Sequence, residues 1–313
     1  MDKNYQQEFQ PGCQLLEKSE QYLKTPDTVN KGMDLLFNGL SEIRKEWQLE
    51  KWKYFCNNIC LSHSIRSLVH QDPITYRAFS KPRGYAGDAV LLDYLYQNPS
   101  AMDKLKTASA IGKAICNYHI SRPSAESVRW RREILSKIID ETASRVTDAE
   151  ILAVACGHLR EASNSNAVLN NQIKRLVAFD QDGESLKTIN TEKNGSSIEC
   201  VSGNIIDLIS RKIKIGKFDF IYSAGLYDYL DDKVARLLTK VLFGMLKKDG
   251  RLLIANFVPG NRESGYMEAF MGWELLYRTR QQFEKINGEL EKYIQRIFFD
   301  ENKYVIYMEF RRK

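Results

Sequence analysis

The sequence predicts an α/β protein: a helical N-terminal half, then a mainly parallel sheet closed by a C-terminal antiparallel hairpin. Three observations predict it. From residue 28 to about 145 the apolar residues recur at a helical period. After Thr147 five short apolar runs alternate with helical patterns, the mark of βαβ units and a parallel sheet. Near the end, two strand-like runs flank Asp300-Glu301-Asn302, a hairpin turn.

In the helical half, Trp52, Phe55, Cys56, Ile59 and Cys60 follow the i, i+3, i+4, i+7, i+8 spacing of one buried face. Asp72-Pro73 breaks the pattern, because proline disfavours helical geometry in the residue before it. A glycine-rich loop, KPRGYAGD, covers residues 81–88. Helices are expected over 89–97 and 104–120. Residues 123–142 form an amphipathic helix with Val128, Leu135, Ile138 and Ile139 on one side, and Pro123 suits its first turn. The domain division is set at 147/148, giving a helical lid domain in 1–147 and a sheet domain in 148–313. The helix before the division is placed to pack on the sheet. The five parallel strands are 151–155, 175–179, 198–201, 218–223 and 251–257, with a helix over 233–248. Segments 293–299 and 304–310 make the hairpin. This order is the layout of a Rossmann-like methyltransferase sheet, five parallel strands plus an antiparallel hairpin.

Composition excludes other classes. With 43% hydrophobic and 27% charged residues, the chain is an ordinary globular protein. No apolar run opens it, so no signal peptide is expected. No stretch reaches the roughly 18 apolar residues of a membrane span. The net charge of +6 is mild and dispersed, so nucleic acid is not an expected partner. Cys13, Cys56, Cys60, Cys116, Cys156 and Cys200 lack a zinc-type paired spacing. No metal is expected, and a reducing cytoplasm is the simplest setting.

In such a sheet, ligands bind at the carboxyl ends of the strands near the topological switch point. Four strand ends carry suitable residues. The first is ACGHLRE, residues 155–161, where Gly157 lets a ligand approach the backbone beside Ala155 and Cys156. The following helix would offer free N–H groups. One glycine makes neither a G-x-G-x-x-G fingerprint nor a Walker loop, which favours a ligand without phosphates. The second is Asp180, followed by Gln181 and 23 residues after Gly157. An acid there can accept hydrogen bonds from two ribose hydroxyls; a helix N-cap is the alternative. The third is Gly203-Asn204-Ile205, where a polar residue and an apolar one can clamp an adenine ring. The fourth is SAGLYDYL, residues 223–230. Its Ser223, Ala224 and Gly225 leave room for a methionine moiety, and Tyr227 and Asp228 are placed to face a methyl group. Each feature alone could be an ordinary turn. In this order they imply S-adenosylmethionine as cofactor.

The chain also resembles a bacterial group that includes the methyltransferase making 3-hydroxypalmitic acid methyl ester, a quorum-sensing signal. The matching stretches are KPRGYAGDAVLLDYLY (81–96), ACGHLRE (155–161), FDQD (179–182), IYSAGLYDYLDDKVARLL (221–238), GRLLIANF (250–257) and YMEAFMGWELLYRT (266–279). They cover most of residues 80–280. Gly272 stands where that group carries an aspartate. The resemblance implies that the loop 81–88 folds over the cofactor site, with Tyr85 or Asp88 reaching the cofactor. It also implies that Glu161 lies near the cofactor amino group and Arg160 near its carboxylate. Arg129 and Arg132 are further carboxylate candidates.

The implied reaction is methylation of a small molecule, with a carboxylic acid such as a hydroxy fatty acid as first acceptor. A carboxylate is ionised at neutral pH and needs only a cationic or hydrogen-bonding clamp. Asn256, Arg262, Tyr266 and Arg278 are candidates for that pocket, with Trp273 and Tyr277 as walls. An amino or guanidino acceptor would instead need acids to take up a proton. Asp228 and Glu268 are available for that, and His119 is a possible base. The other readings are an RNA methyltransferase, a non-catalytic module with this fold, and a dinucleotide oxidoreductase.

Overall fold

A computed structural model describes residues 7–193 and 196–313. In chain order the helices before the sheet are α1 (Gln10–Leu23), α2 (Val29–Glu46), α3 (Leu49–Tyr54), α4 (Ile65–Val69), α5 (Pro73–Ser80), α6 (Ala89–Leu95), α7 (Pro99–Leu105), α8 (Ala110–Ile120) and α9 (Pro123–Arg145). There follow β1 (Glu150–Val154), α10 (Asn166–Leu169), β2 (Arg175–Asp180), α11 (Gly183–Glu192), β3 (Ile198–Ser202), α12 (Ile205–Ile209), β4 (Phe218–Ser223), α13 (Asp232–Gly244) and β5 (Leu246–Phe257). The chain ends with α14 (Ser264–Phe270), α15 (Arg280–Glu284), β6 (Ile294–Phe299) and β7 (Val305–Arg311). It forms two compact units. One comprises the described residues up to Glu126 with Asn261–Glu274; the other comprises Ser127–Gly260 with Leu275–Lys313.

The second unit is built on one seven-stranded sheet of order β3-β2-β1-β4-β5-β7-β6. β1 to β5 are parallel, and β7 is antiparallel to both β5 and β6. The fold expected from the sequence is thus the fold present. β1, β2 and β4 are apolar almost without alternation and buried along nearly their whole length, as strands covered on both faces must be. On one face, Leu152, Val154, Val177, Phe179, Ile221, Leu252 and Ile254 pack with Leu208 of α12 and with Leu238 and Leu242 of α13. Each such buried side chain contributes about 1.5–3 kcal/mol. The other face carries α9. There Arg251 donates to the Ile138 carbonyl and the Thr142 hydroxyl, and the Trp130 and Tyr307 rings lie 5.5 Å apart. The strand order reverses between β1 and β4, and in sheets of this kind ligands bind at the carboxyl ends of the strands beside such a switch point.

Four local expectations are corrected. The helix expected over 233–248 stops at Gly244, and β5 already pairs Leu246 with Phe218. Asp249, at φ +61°, sits in a register shift inside β5. The helix expected over 104–120 is two helices, α7 and α8. After α3 the winding widens into a π-helix, Phe55–Ile59, although Trp52, Phe55, Cys56 and Cys60 still share a buried face. The helix expected after Gly157 is a short 3-10 turn, Arg160–Ser163.

The first unit packs α14 against α2. Gly265 of α14 lies directly on the Leu40 main chain, and the Tyr266 ring stacks on Phe37 at 4.6 Å. Among the described residues, no helix is long and apolar enough to cross a membrane.

Candidate active site

At the tip of β1 the chain turns sharply. Ala155, Gly157 and Leu159 all have φ between +51° and +55°, and two of them are not glycine. Such left-handed residues cost free energy and persist only where the surroundings hold them. Asp180, at the tip of the neighbouring β2, supplies the hold. Its Oδ2 accepts the Gly157 N–H at 2.8 Å, and its Oδ1 accepts the Asp182 N–H at 2.9 Å. Asp180 is 6% exposed, and burial raises its pKa. The helix N-cap here is Asp182, which accepts from Glu184. Gln181 is exposed. The Cys156 thiol, with Asp180 and Glu161 nearby, is pushed up by burial and those charges.

Glu161 is buried behind this turn and accepts the Tyr222 hydroxyl at 2.6 Å. Burial raises its pKa, while Tyr222, Arg131 and Arg132 pull it down. Arg160 pairs with Glu192 of α11 and lies on His158. At β3, Asn204 caps α12 in a reciprocal capping box with Asp207, and Ile205 begins that helix.

Beyond β4, the Ser223 hydroxyl donates to the Val154 carbonyl at 3.2 Å. The Ala224 carbonyl accepts from Arg131, a buried residue of α9. A Cβ on Gly225 would lie 3.5 Å from the same guanidinium. Of the basic residues on α9, the sequence reading chose Arg129 and Arg132. Arg132 pairs with Glu133 at 3.1 Å, and Arg129 is half-buried. Arg131 was missed, yet it carries a signal: it lies three residues after Val128 and four before Leu135, on the apolar stripe.

Asp228 is 3% exposed; its Oδ1 accepts the Phe257 N–H at 2.6 Å. Burial pushes its pKa up to about 6, against the pull of that hydrogen bond and of Arg131 and Arg278. Tyr227 points into the core, its hydroxyl 2.9 Å from that of Thr239. Arg278 spends its donors inside the unit. They go to the carbonyls of Tyr227 and Leu230, to Asn256 Oδ1 at 2.6 Å and to Asp232 at 3.0 Å. Asn256 in turn donates to the Phe257 and Leu276 carbonyls.

The helical unit holds the remaining candidates. Glu268 accepts from Trp52 Nε1 at 2.5 Å and from Arg44 Nε at 2.7 Å. Tyr266 is fully buried, and its hydroxyl lies 2.9 Å from Thr75 Oγ1. Asp88 caps α6 and accepts from Arg77 at 2.7 Å. Its other oxygen is buried with no hydrogen-bond partner. Tyr85 and Trp273 are half-buried, as is Tyr277 in the sheet unit; Arg262 is exposed. His119 lies 3.3 Å from Thr75 Oγ1 and 3.5 Å from Asp72. Burial pushes its pKa down to about 3, so the ring is neutral and this is no ion pair at pH 7. Among the described residues, no group of three His, Cys, Asp or Glu side chains is set to hold a metal.

Asp72 gives a stability prediction. It caps α5 through the Ile74 and Thr75 N–H groups, and burial raises its pKa from 3.8 to about 6. Between these values the folded state binds more protons than the unfolded one, so stability falls as pH rises through that window. Asp72→Asn keeps an N-cap and removes the titration. Relative to the parent, it should gain about 1.4 kcal/mol between pH 5 and pH 7.5. Thermal unfolding at the two pH values checks this; parallel parent and variant curves would contradict it.

No family model and no curated protein sequence matches the chain. Solved structures do. A protein from Bordetella parapertussis, described as a possible exported protein, is 14% identical. That match covers 82% of this chain and 99% of the other at a TM-score of 0.55. A protein from Thermobifida fusca described as a candidate methyltransferase is 16% identical, over 72% and 94% of the two chains, at 0.50. Magnesium protoporphyrin IX methyltransferase from Synechocystis, solved with S-adenosylhomocysteine, is 11% identical over 72% and 100%, at 0.46. The first two likenesses are likenesses of fold.

Proposed function

We propose that this protein is an S-adenosylmethionine-dependent methyltransferase acting on a small molecule. The observation that carries the reading is the strained Gly157 turn of β1 held by the Asp180 carboxylate of β2, at the switch point of this sheet. The residues suit the cofactor. One glycine and no phosphate cradle fit a ligand without phosphates. Asp180 can take ribose hydroxyls, and Arg131 and Glu161 can meet the carboxylate and ammonium of a methionine tail. When bound, the cofactor supplies a sulfonium methyl group that transfers in line to a nucleophile, leaving S-adenosylhomocysteine. The chain's own part is to hold both partners aligned and to exclude water. In this reading the half after residue 148 holds the cofactor. The six cysteines are unpaired thiols, in keeping with the cytoplasmic setting we assign.

Two acceptor classes follow. The resemblance to the 3-hydroxypalmitic acid methyl ester group supports a carboxylic acid. A specific observation favours the second class, an amino or guanidino compound. Asp228 is a buried acid whose pKa of about 6 suits proton uptake near neutral pH, and Arg278 is already committed to internal acceptors. Calorimetry with S-adenosylmethionine tests the class, and absence of binding would refute it. A panel of hydroxy fatty acids and amines, with product mass and fragmentation, assigns the methyl to oxygen or nitrogen. We expect turnover with nitrogen acceptors; esters alone would reverse that order.

A further inference from the structure

We propose that Arg278 is the positioning residue of the candidate site, clamping the turn after β4 so that the Asp228 carboxylate stands in one fixed place. The inference rests on the methyltransferase reading with a nitrogen acceptor. Asp228 sits inside a short 3-10 turn, Tyr227–Tyr229. Hydrogen bonds of that winding are poor, so such a turn does little to hold itself. Arg278, only 4% exposed, brackets it from outside. One terminal guanidinium nitrogen donates to the Tyr227 carbonyl at 2.8 Å, and the other donates to the Leu230 carbonyl. The two bonds fall on either side of Asp228. The first nitrogen also donates to Asn256 Oδ1 at 2.6 Å, and Nε donates to Asp232 Oδ1 at 3.0 Å, at the start of α13. The main chain completes the clamp. The Leu276 N–H donates to the Asp228 carbonyl at 2.7 Å, and the Arg278 N–H donates to the Phe257 carbonyl at 3.1 Å. Phe257 in turn holds Asp228 Oδ1 at 2.6 Å. The turn, the end of β5 and residues 276–278 are thus one hydrogen-bonded block.

These acceptors take four of the five guanidinium N–H donors. Too few remain for the two-point grip by which an arginine holds a ligand carboxylate. What the clamp serves is a proton transfer. The acceptor nitrogen's lone pair forms the new bond to the methyl carbon, and the sulfur–methyl bond breaks with its electron pair left on sulfur. The nitrogen then gives its proton to the Asp228 carboxylate. That step needs the carboxylate within about 2.6–3.2 Å of the nitrogen. A misplacement of about 1 Å costs about 100-fold in rate. The Arg278 charge also favours the ionised carboxylate, as does Arg131 of α9. Of the two tyrosines on the turn, Tyr227 faces Thr239 in the core and Tyr229 is exposed.

The test uses the full chain with Arg278→Met, which loses charge and donors, and Arg278→Lys, which keeps the charge alone. Three readouts are taken. They are the Asp228 carboxyl signal in carbon-13-labelled protein, assigned by its loss in Asp228→Asn; S-adenosylmethionine affinity by calorimetry; and turnover with the amine that the acceptor panel identifies. In the parent, Asp228 should titrate at about pH 6. Arg278→Met should raise that midpoint by about one pH unit and carry the acid limb of the rate profile up with it. Arg278→Lys should leave the midpoint nearly in place. Turnover should fall about 100-fold in both variants, with S-adenosylmethionine affinity close to that of the parent. Parent-level turnover in a folded variant, or an Asp228 midpoint unmoved in Arg278→Met, overturns the inference and leaves Arg278 a purely structural residue. A loss confined to the acceptor KM also overturns it, because that marks a substrate clamp. The unaltered chain keeps the test decisive should neither variant fold. A clamped guanidinium gives separate, slowly exchanging Nη proton signals, and a single averaged signal overturns the inference. Absence of S-adenosylmethionine binding in the parent, or methylation of oxygen alone, is instead a failure of the underlying reading, and the inference falls with it.

Discussion

Asp180→Ala should weaken S-adenosylmethionine binding by about 100-fold or more, with the sheet unit still folded. Hydrogen bonds to a charged acceptor are worth about 1.5–3 kcal/mol each, and two ribose hydroxyls are at stake. A second loss adds to this. The same carboxylate holds the Gly157 N–H, so the alanine variant also frees a turn with three left-handed residues. Asp180→Asn keeps an acceptor for Gly157 but loses the charge, and should fall between parent and alanine variant. Calorimetry gives the affinities, and circular dichroism with thermal unfolding confirms the fold. Unchanged affinity in a folded Asp180→Ala protein would break the assignment on which the site map rests.

Gly265→Ala should damage the helical unit and spare cofactor binding. A Cβ there would stand 2.8 Å from the carbonyl carbon and oxygen of Leu40 and 3.1 Å from the Ser41 nitrogen. These are main-chain atoms of α2, so neither helix can relieve the contact by turning a side chain. Overpacking of this kind costs about 1–3 kcal/mol. The expected fall in melting temperature is about 3–10 °C. Affinity for S-adenosylmethionine, which we place in the other unit, should stay close to that of the parent. Loss of cofactor affinity in a protein whose sheet unit is still folded would count against that placement.

Much of this molecule is legible in its sequence because burial on both faces writes a plain signal. β1, β2 and β4 are near-continuous apolar runs, and they fall where expected within a residue or so. The hairpin was equally clear, because Asp300-Glu301-Asn302 interrupts two such runs. Failures came where local pattern and tertiary demand part. The start of β5 looks helical in LKKDG, yet Leu246 is drawn into the sheet by its pairing with Phe218. Residues after Gly157 do not begin a full helix, because Leu159 is held left-handed. At the candidate site, residue type was easier to read than orientation. Four residues of α9 run Arg129-Trp130-Arg131-Arg132, and only packing decides which arginine turns inward. Tyr227 and Arg278 are polar residues in the right stretches, but their groups are committed to Thr239 and to carbonyls of the same unit. No periodicity could reveal those commitments, since the partners lie 12 to 51 residues away.

The chain leaves the helical unit after Glu126, returns to it at Asn261 and leaves it again after Glu274. This has a consequence for biosynthesis. A ribosome delivers α1 to α8 first, but Trp52 Nε1, Arg44 and Thr75 must wait for Glu268 and Tyr266, which emerge only after the first five strands. Contacts of such long sequence separation form slowly and leave apolar surface exposed meanwhile. Phe37, which stacks on Tyr266, is part of that surface. A fragment ending at residue 126 or 147 would therefore lack the helix that seals it. Nascent chains of this protein should stay dependent on holding chaperones until well past residue 274.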